Sequence, residues 1–189
     1  MCIRDSLLSE KAMQQSLVHE ILWHNKRAHN IAQKLFDIED EIKKLLQNNS
    51  LEDITILTTN ENTGIEIVKH FKDKGVKVSH VYDMTGKKNI KERRNEKFKF
   101  NGGTGRLKIC SYHSYKGWQT PNIILVLDLP STKYNNGIIE VSDNEEISME
   151  DAIFISMSRV KEKELTGEYS FICLNYIRKY DKLSIISDK

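Results

Sequence analysis

Neither a disulfide framework nor a zinc site is written into this chain. Its three cysteines, Cys2, Cys110 and Cys173, are odd in number, scattered, and without C-x-x-C spacing. Cys110 and Cys173 fall in apolar runs, which predicts buried core thiols and a reducing compartment, the cytoplasm. No apolar run is long enough to cross a bilayer, and no secretory segment opens the chain, so no membrane partner is expected. No G-x-x-x-x-G-K-S/T occurs anywhere in the 189 residues. Gly86-Lys87-Lys88 has Val81 where the earlier glycine is needed and Lys88 where Ser or Thr is required. Gly102-Gly103-Thr104-Gly105 leads into Arg106 and a strand, not into Lys-Ser/Thr and a helix. A G-x-S-x-G elbow is missing too, so Ser114 beside His113 does not make a hydrolase.

What is present is charge. Thirty per cent of the residues are charged against 39% hydrophobic, which suits one domain of ordinary size with a single core. The net charge is only +2, but it is unevenly placed. Between Lys87 and Lys108 stand Lys87, Lys88, Lys91, Arg93, Arg94, Lys97, Lys99, Arg106 and Lys108, opposed by Glu92 and Glu96. Between Tyr134 and Ser158 the balance reverses, with Glu140, Asp143, Glu145, Glu146, Glu150 and Asp151 and no Lys or Arg. The basic stretch invites a phosphate backbone. It equally suits a solvated helix face.

Periodicity gives the elements. Residues 1–6, MCIRDS, resemble a translated sequencing-adapter remnant, which predicts a natural protein that lacks them and extends further upstream. Residues 7–48 read as helix, leading into the domain. Within it Ile31, Leu35, Ile38, Ile42 and Leu45 form an amphipathic stripe, either packed on its own domain or offered to a partner helix. His19, His24 and His29 are five apart; on a helix they would share no metal-binding face. Residues 54–59 are a β-branched run and a buried strand. Asn60 or Asn62 caps a following helix with Ile65, Val68 and Phe71 on one face, and Gly75 stops it. Residues 76–82 alternate as the next strand, completing a βαβ unit and implying a mainly parallel sheet. A helix over 89–98, a glycine-rich turn at 101–105, and strands over 107–110 and 123–127 follow. Ser142-x-x-Glu145 reads as a capping box for a helix ending near Arg159, and 169–174 is a last strand. Residues 175–189 are a short helix or disordered.

The chemistry concentrates between the strands at 107–110 and 123–127. Their connecting loop holds His113, Ser114, Lys116, Gly117, Trp118 and Gln119. Lys donates to phosphate, Ser and backbone N–H groups add hydrogen bonds, and Gly allows close approach, so phosphate or nucleic-acid contact fits best. Residue by residue, an ordinary loop also fits.

SYHSYKGWQTPNIILVLD, at 111–128, resembles motif V of UvrD/Rep-type superfamily 1 helicases, usually T-x-H-S-x-K-G-L-E before an apolar strand. AIFISMSRVKEKEL, at 152–165, resembles their motif VI, usually L-Y-V-A-x-T-R-A-K. ITILTTNENTGIEIVKHF, at 54–71, is similar to the family's motif IV strand and helix. The resemblance spans about residues 30–175, with 51–175 as the second RecA-like domain, after a helical segment over 7–50 and before a tail at 176–189. It implies an α/β, three-layer RecA-like fold with a mainly parallel sheet.

It also implies a role. In that family ATP and Mg²⁺ sit between two RecA-like domains, the first of which, missing here, carries the P-loop and metal site. Arg159 would be the catalytic arginine finger, and Gly117, Gln119 and Arg159 would form the cofactor-binding set. His113, Ser114, Lys116 and Trp118, with Lys87, Lys88, Arg93 and Arg94, would contact single-stranded or partly duplex DNA; Trp118 replaces the usual Leu and reads as packing or base stacking. Gln119 stands where the family has Glu, so a charge is lost. Thr58, Thr59 and Asn60 stand where relatives often carry a motif IV arginine. Only residues 83–107 fill the gap where processive members insert a domain. The alternative is a non-enzymatic nucleic-acid-binding module using the stretch 87–108, and a weaker one is an interaction domain led by the 31–45 helix.

Overall fold

The computed structural model describes residues 19–84, 98–101, 103–129, 133–135, 138–140, 149–163 and 167–186. The expected basic helix over 89–98 and the capping box at Ser142 fall mostly or wholly outside them. Six parallel strands form one sheet in the order β1-β8-β5-β2-β4-β3. They are β1 (His19–Asn25), β2 (Ile54–Thr58), β3 (Val78–His80), β4 (Leu107–Ser111), β5 (Asn122–Leu127) and β8 (Tyr169–Asn175). Between β5 and β8 a short antiparallel pair, β6 (Lys133–Asn135) and β7 (Ile138–Glu140), stands apart from the sheet.

Both faces are covered, as a parallel sheet requires. On one face lie α1 (Ile31–Leu45) and α2 (Glu61–Asp73). Their Ile38, Ile42, Leu45, Ile67, Val68 and Phe71 pack on Ile54, Ile56, Ile109, Ile124, Val126 and Ile172. On the other lie the 3₁₀ turn Tyr112–Tyr115, α3 (Met149–Met157) and the C-terminal 3₁₀ stretch Arg178–Ile186. There Tyr112, Tyr115, Met149, Ala152 and Tyr180 pack on Leu57, Cys110, Ile123, Leu125, Phe171 and Cys173. The result is a three-layer α/β domain, consistent with a RecA-like fold. Cys110 and Cys173 are both fully buried.

Local signals explain the helix ends. Asn30 and Asn60 cap α1 and α2, each side chain accepting the N–H three residues on, from Gln33 and Thr63. Gly75, at φ +76°, takes the left-handed turn after α2.

The helical reading of 7–48 fails at its described front. Residues 19–25 are a strand, paired in register with β8 from His19↔Tyr169 to Asn25↔Asn175. HEILWHN alternates: Ile21 and Trp23 pack into one core cluster and Leu22 into the other. Period two over so few residues is hidden inside a long helix-permissive window, and β8 supplies the hydrogen bonds that decide it. The strand expected over 76–82 shortens to Val78–His80. The partner-helix reading of 31–45 is overturned as well, because Ile38 and Ile42 are 0% and 4% exposed inside this domain's own core.

Candidate functional site

The loop between β4 and β5 is built from two anchors. Ser111 ends β4, and its Oγ accepts the Ser114 N–H at 3.3 Å and donates to Ser114 Oγ at 3.0 Å. That closes a tight 3₁₀ turn whose Tyr112 and Tyr115 are 2% and 1% exposed. The Tyr115 hydroxyl reaches Thr55 Oγ1 at 3.2 Å, on the neighbouring strand β2. With the tyrosines turned inward, His113 and Lys116 are left exposed and Ser114 half-buried. The Trp118 N–H donates to Tyr115 O at 3.1 Å across Gly117, which sits at φ +87°. A left-handed residue is needed there, and glycine takes it without strain.

Because all six strands run one way, this loop travels from the carboxyl edge of the sheet, at Ser111, to its amino edge, at Asn122. His113 therefore stands near the carboxyl edge and Gln119 near the amino edge. Thr120 closes the crossing: its Oγ1 donates to Asp53 O at 2.9 Å, just before β2.

At that amino edge the loop meets the end of α3. The Thr120 N–H donates to Arg159 O at 3.2 Å, and the Lys161 N–H donates back to Thr120 O at 3.0 Å. Thr120 and Val160 form a parallel bridge. The two stretches singled out in the sequence are thus joined through their backbones. Arg159 is half-buried, and its Nε is buried with no hydrogen-bond partner among the described residues. Exposed Gln119 precedes the bridged Thr120.

At the other end of α3 the charge of Asp151 acts on His113 and Tyr112. The His113 ring lies over that of Tyr112 with centroids 3.8 Å apart. Desolvation first, then the Lys116 charge, push its pKa below the usual imidazole value, with Asp151 pulling the other way. Both effects favour the neutral imidazole of His113.

The basic stretch joins the site through one aromatic side chain. Phe100, 2% exposed, packs 6.2 Å from Tyr115 and 6.1 Å from Trp118, edge-on to the indole. Trp118 is half-buried in this cluster. Lys99, beside Phe100, is exposed. Lys87, Lys88, Arg93 and Arg94 lie outside the described residues. At the far end the footprint over 87–108 needs correcting. Lys108 is 5% exposed and its Nζ donates to Glu52 O at 2.7 Å, so it is a structural lysine and not a phosphate contact. Burial depresses its pKa, with Glu52 and Asp53 opposing. Alternation along β4 turns Lys108 to the same face as Cys110, which no local charge count reveals.

Sequence reasoning missed a polar cluster at the carboxyl edge. Lys34, 2% exposed on α1, ion-pairs with Asp128 at 2.6 Å just beyond β5. Thr63 Oγ1 donates to the same carboxylate at 2.8 Å, the Leu129 N–H donates to Asp128 Oδ1 at 2.9 Å, and the Asp128 N–H donates to Thr59 Oγ1 at 2.8 Å. Lys34 also lies 5.0 Å from the Tyr176 ring centroid. Burial lowers its pKa, and Asp128 counters this. The cluster sits where β2 and β5 send their connections to opposite faces, a position that often takes ligands in α/β sheets. Here its groups are spent on one another. A signal existed: Lys34, Ile38, Glu41 and Leu45 fall on one buried α1 stripe, so two charges occupy core positions.

Among the described residues no group of His, Cys, Asp and Glu could hold a metal ion, and no helix is long and apolar enough to cross a membrane. No family model matches this chain, and no curated protein matches it at a significant level.

Proposed function

We propose that this chain is the second RecA-like half of an ATP-dependent DNA helicase similar to the UvrD/Rep type. The observation that carries the reading is the junction of residues 113–120 with Arg159 through the Thr120 hydrogen bonds. Two motifs that resemble V and VI need such a junction to act as one wall of a nucleotide cleft. The fold agrees with the reading without selecting it.

ATP with Mg²⁺ would supply the phosphoryl group whose transfer to water drives such a motor. Holding it falls to a P-loop half, because this chain has no phosphate-cradling loop of that kind. Arg159 suits an arginine finger: its Nε is not consumed inside the fold, and its backbone is fixed by Thr120. A guanidinium placed on the transferring group is worth about 10³–10⁵ in rate. Gln119 at the same edge would accept a hydrogen bond from a ribose hydroxyl, and Gly117 would let the backbone approach. Toward the other edge, His113, Ser114 and Lys116 would donate to DNA phosphates. Trp118 acts here mainly in packing, since Phe100 holds it edge-on.

The test is Arg159→Ala, assayed together with the P-loop half that this reading requires. The variant should bind ATP as the parent does and hydrolyse it about 10³-fold or more slowly. Parental turnover would sink the assignment. The second reading, a nucleic-acid-binding module without ATPase, is favoured by Phe100, next to exposed Lys99, packing on Tyr115 and Trp118 of the loop that carries Lys116. Under it, DNA affinity responds to salt and not to nucleotide.

A further inference from the structure

The aim of Arg159 is set by its main chain. Its Nε is buried with no hydrogen-bond partner among the described residues. Its carbonyl accepts the Thr120 N–H at 3.2 Å, and the Lys161 N–H donates to Thr120 O at 3.0 Å. What holds Thr120 therefore holds Arg159. Thr120 is 2% exposed, and its Oγ1 donates to Asp53 O at 2.9 Å. Asn122 Nδ2 donates to the same carbonyl at 3.3 Å, which ties Asp53 to the start of β5. Half-buried Lys163 adds an ion pair, its Nζ 3.6 Å from Asp53 Oδ2. A partly solvated pair of that kind is weak and screened by salt.

Thr120 has a second hydroxyl partner. Tyr115, 1% exposed, hydrogen-bonds the Thr120 side chain, and its oxygen lies 3.2 Å from Oγ1 of fully buried Thr55. Thr120 gives its only hydroxyl proton to Asp53, so toward Tyr115 it can only accept. Tyr115 therefore donates to Thr120 Oγ1 and accepts from Thr55 Oγ1. Burial pushes the Tyr115 hydroxyl up to about 12, so the donor proton stays in place. Three buried hydroxyls and one carbonyl thus form a series in which each link polarises the next. The Tyr115 side chain also runs between the two edges of the sheet. Its backbone belongs to the turn after β4, at the carboxyl edge. Thr55, which pairs with Lys108 and Ile123, stands near the amino edge.

We infer that Tyr115 is a positioning residue for Arg159, acting through the Thr120 hydroxyl and main chain. Buried as it is, Tyr115 does not itself reach a nucleotide. Its contribution is to keep the end of α3 in register with the loop. A catalytic group misplaced by about 1 Å loses about 10²-fold in rate. A group that acts on the transition state loses turnover and not substrate affinity when it is misplaced. The catalytic consequence rests on the helicase reading; the hold on the Arg159 main chain does not, and it is measurable in this chain alone.

Three variants test it. Tyr115→Phe keeps the ring and deletes the hydroxyl, Thr120→Val keeps the branched shape and deletes the hydroxyl, and Thr120→Ser keeps the hydroxyl. In the 189-residue chain, with folding checked by circular dichroism, hydrogen exchange of the Lys161 amide is followed by NMR. Tyr115→Phe and Thr120→Val should speed it about tenfold, the worth of about one buried hydrogen bond, and Thr120→Ser should keep the parental rate. Combined with a P-loop half, the two hydroxyl-deleting variants should lower kcat about tenfold or more, with KM for ATP changed by less than about twofold. Thr120→Ser should restore turnover. Parental exchange at Lys161 in both hydroxyl-deleting variants would overturn the inference. So would a raised KM at parental kcat, or a Thr120→Ser protein as slow as Thr120→Val. Should Tyr115→Phe fail to fold, the contrast between Val and Ser at position 120 decides. If Arg159→Ala turns over as the parent does, the helicase reading falls, and the Lys161 amide still reports on the hold. If Arg159→Ala is slow and Tyr115→Phe is not, only the role of Tyr115 falls.

Discussion

Gly64 shows how much one side chain decides. It lies in the first turn of α2, against the ring of Tyr82, and a Cβ built on it would stand 2.2 Å from Tyr82 Cζ. The ring cannot easily yield: Tyr82 is 2% exposed and its hydroxyl bonds Thr58 Oγ1 at 2.7 Å. Alanine is favoured over glycine in a helix by about 1 kcal/mol. Forcing extra volume into a filled site costs about 1–3 kcal/mol. The clash should win, so Gly64→Ala should lower the urea midpoint despite the better helix former. A midpoint equal to or above the parent's would show that the Tyr82 ring relaxes freely. The glycine was visible in the sequence; its reason was not, because Tyr82 arrives from beyond the next strand. The Lys34–Asp128 pair was hidden for the same cause, its partners being far apart in the chain.

Between elements, α1 and α2 are tied at one carboxylate. Glu39 accepts from Lys43 on its own helix at 2.9 Å, from His70 on α2 at 3.2 Å, and from Lys74 just beyond α2. These bonds, Lys74's first, hold its carboxyl down to about 2 from a usual 4.5. A carboxyl with a depressed folded-state pKa stabilises the fold above its unfolded value and loses that contribution as pH falls toward the folded one. The parent should therefore exceed Glu39→Gln in urea midpoint above about pH 5. The difference should close as pH falls from 4.5 toward 2. A pH-independent difference would mean that Glu39 acts by packing and not by charge. Helices α1 and α2, and the strands β2, β4, β5 and β8, were legible because each carries a long enough periodic or apolar run. β1 was not, since its seven residues take strand form only by pairing with β8 at the far end of the chain.

For the whole molecule the issue is how charge is distributed over a solid. With a net charge of +2, any attraction for nucleic acid must come from local clusters. Binding to single-stranded DNA should weaken linearly on a log–log salt plot, with a slope of about −0.7 per phosphate neutralised. Lys116→Ala should make that slope shallower by about one contact. Lys108→Met should leave it unchanged, because the Lys108 ammonium is held on the Glu52 carbonyl. Equal effects of the two substitutions would disconnect the exposed loop from binding.

The sequence by itself determined the alternation of strand and helix, the Asn60 cap, the burial of Cys110 and Cys173, and the short spacing that gathers His113 to Gln119 on one loop. These are local: they depend on neighbours within a turn or a strand, and the chain carries them wherever it goes. Tertiary structure alone decided that Thr120 bonds to Arg159 and Lys161, that Lys108 turns inward, that Lys34 and Asp128 meet under the carboxyl edge, and that Phe154 is left outside. Each of these depends on strand order. β5 lies between β2 and β8, so the loop before it and the segment leading into β8 must run side by side. No residue along either segment specifies that neighbour; the sheet does.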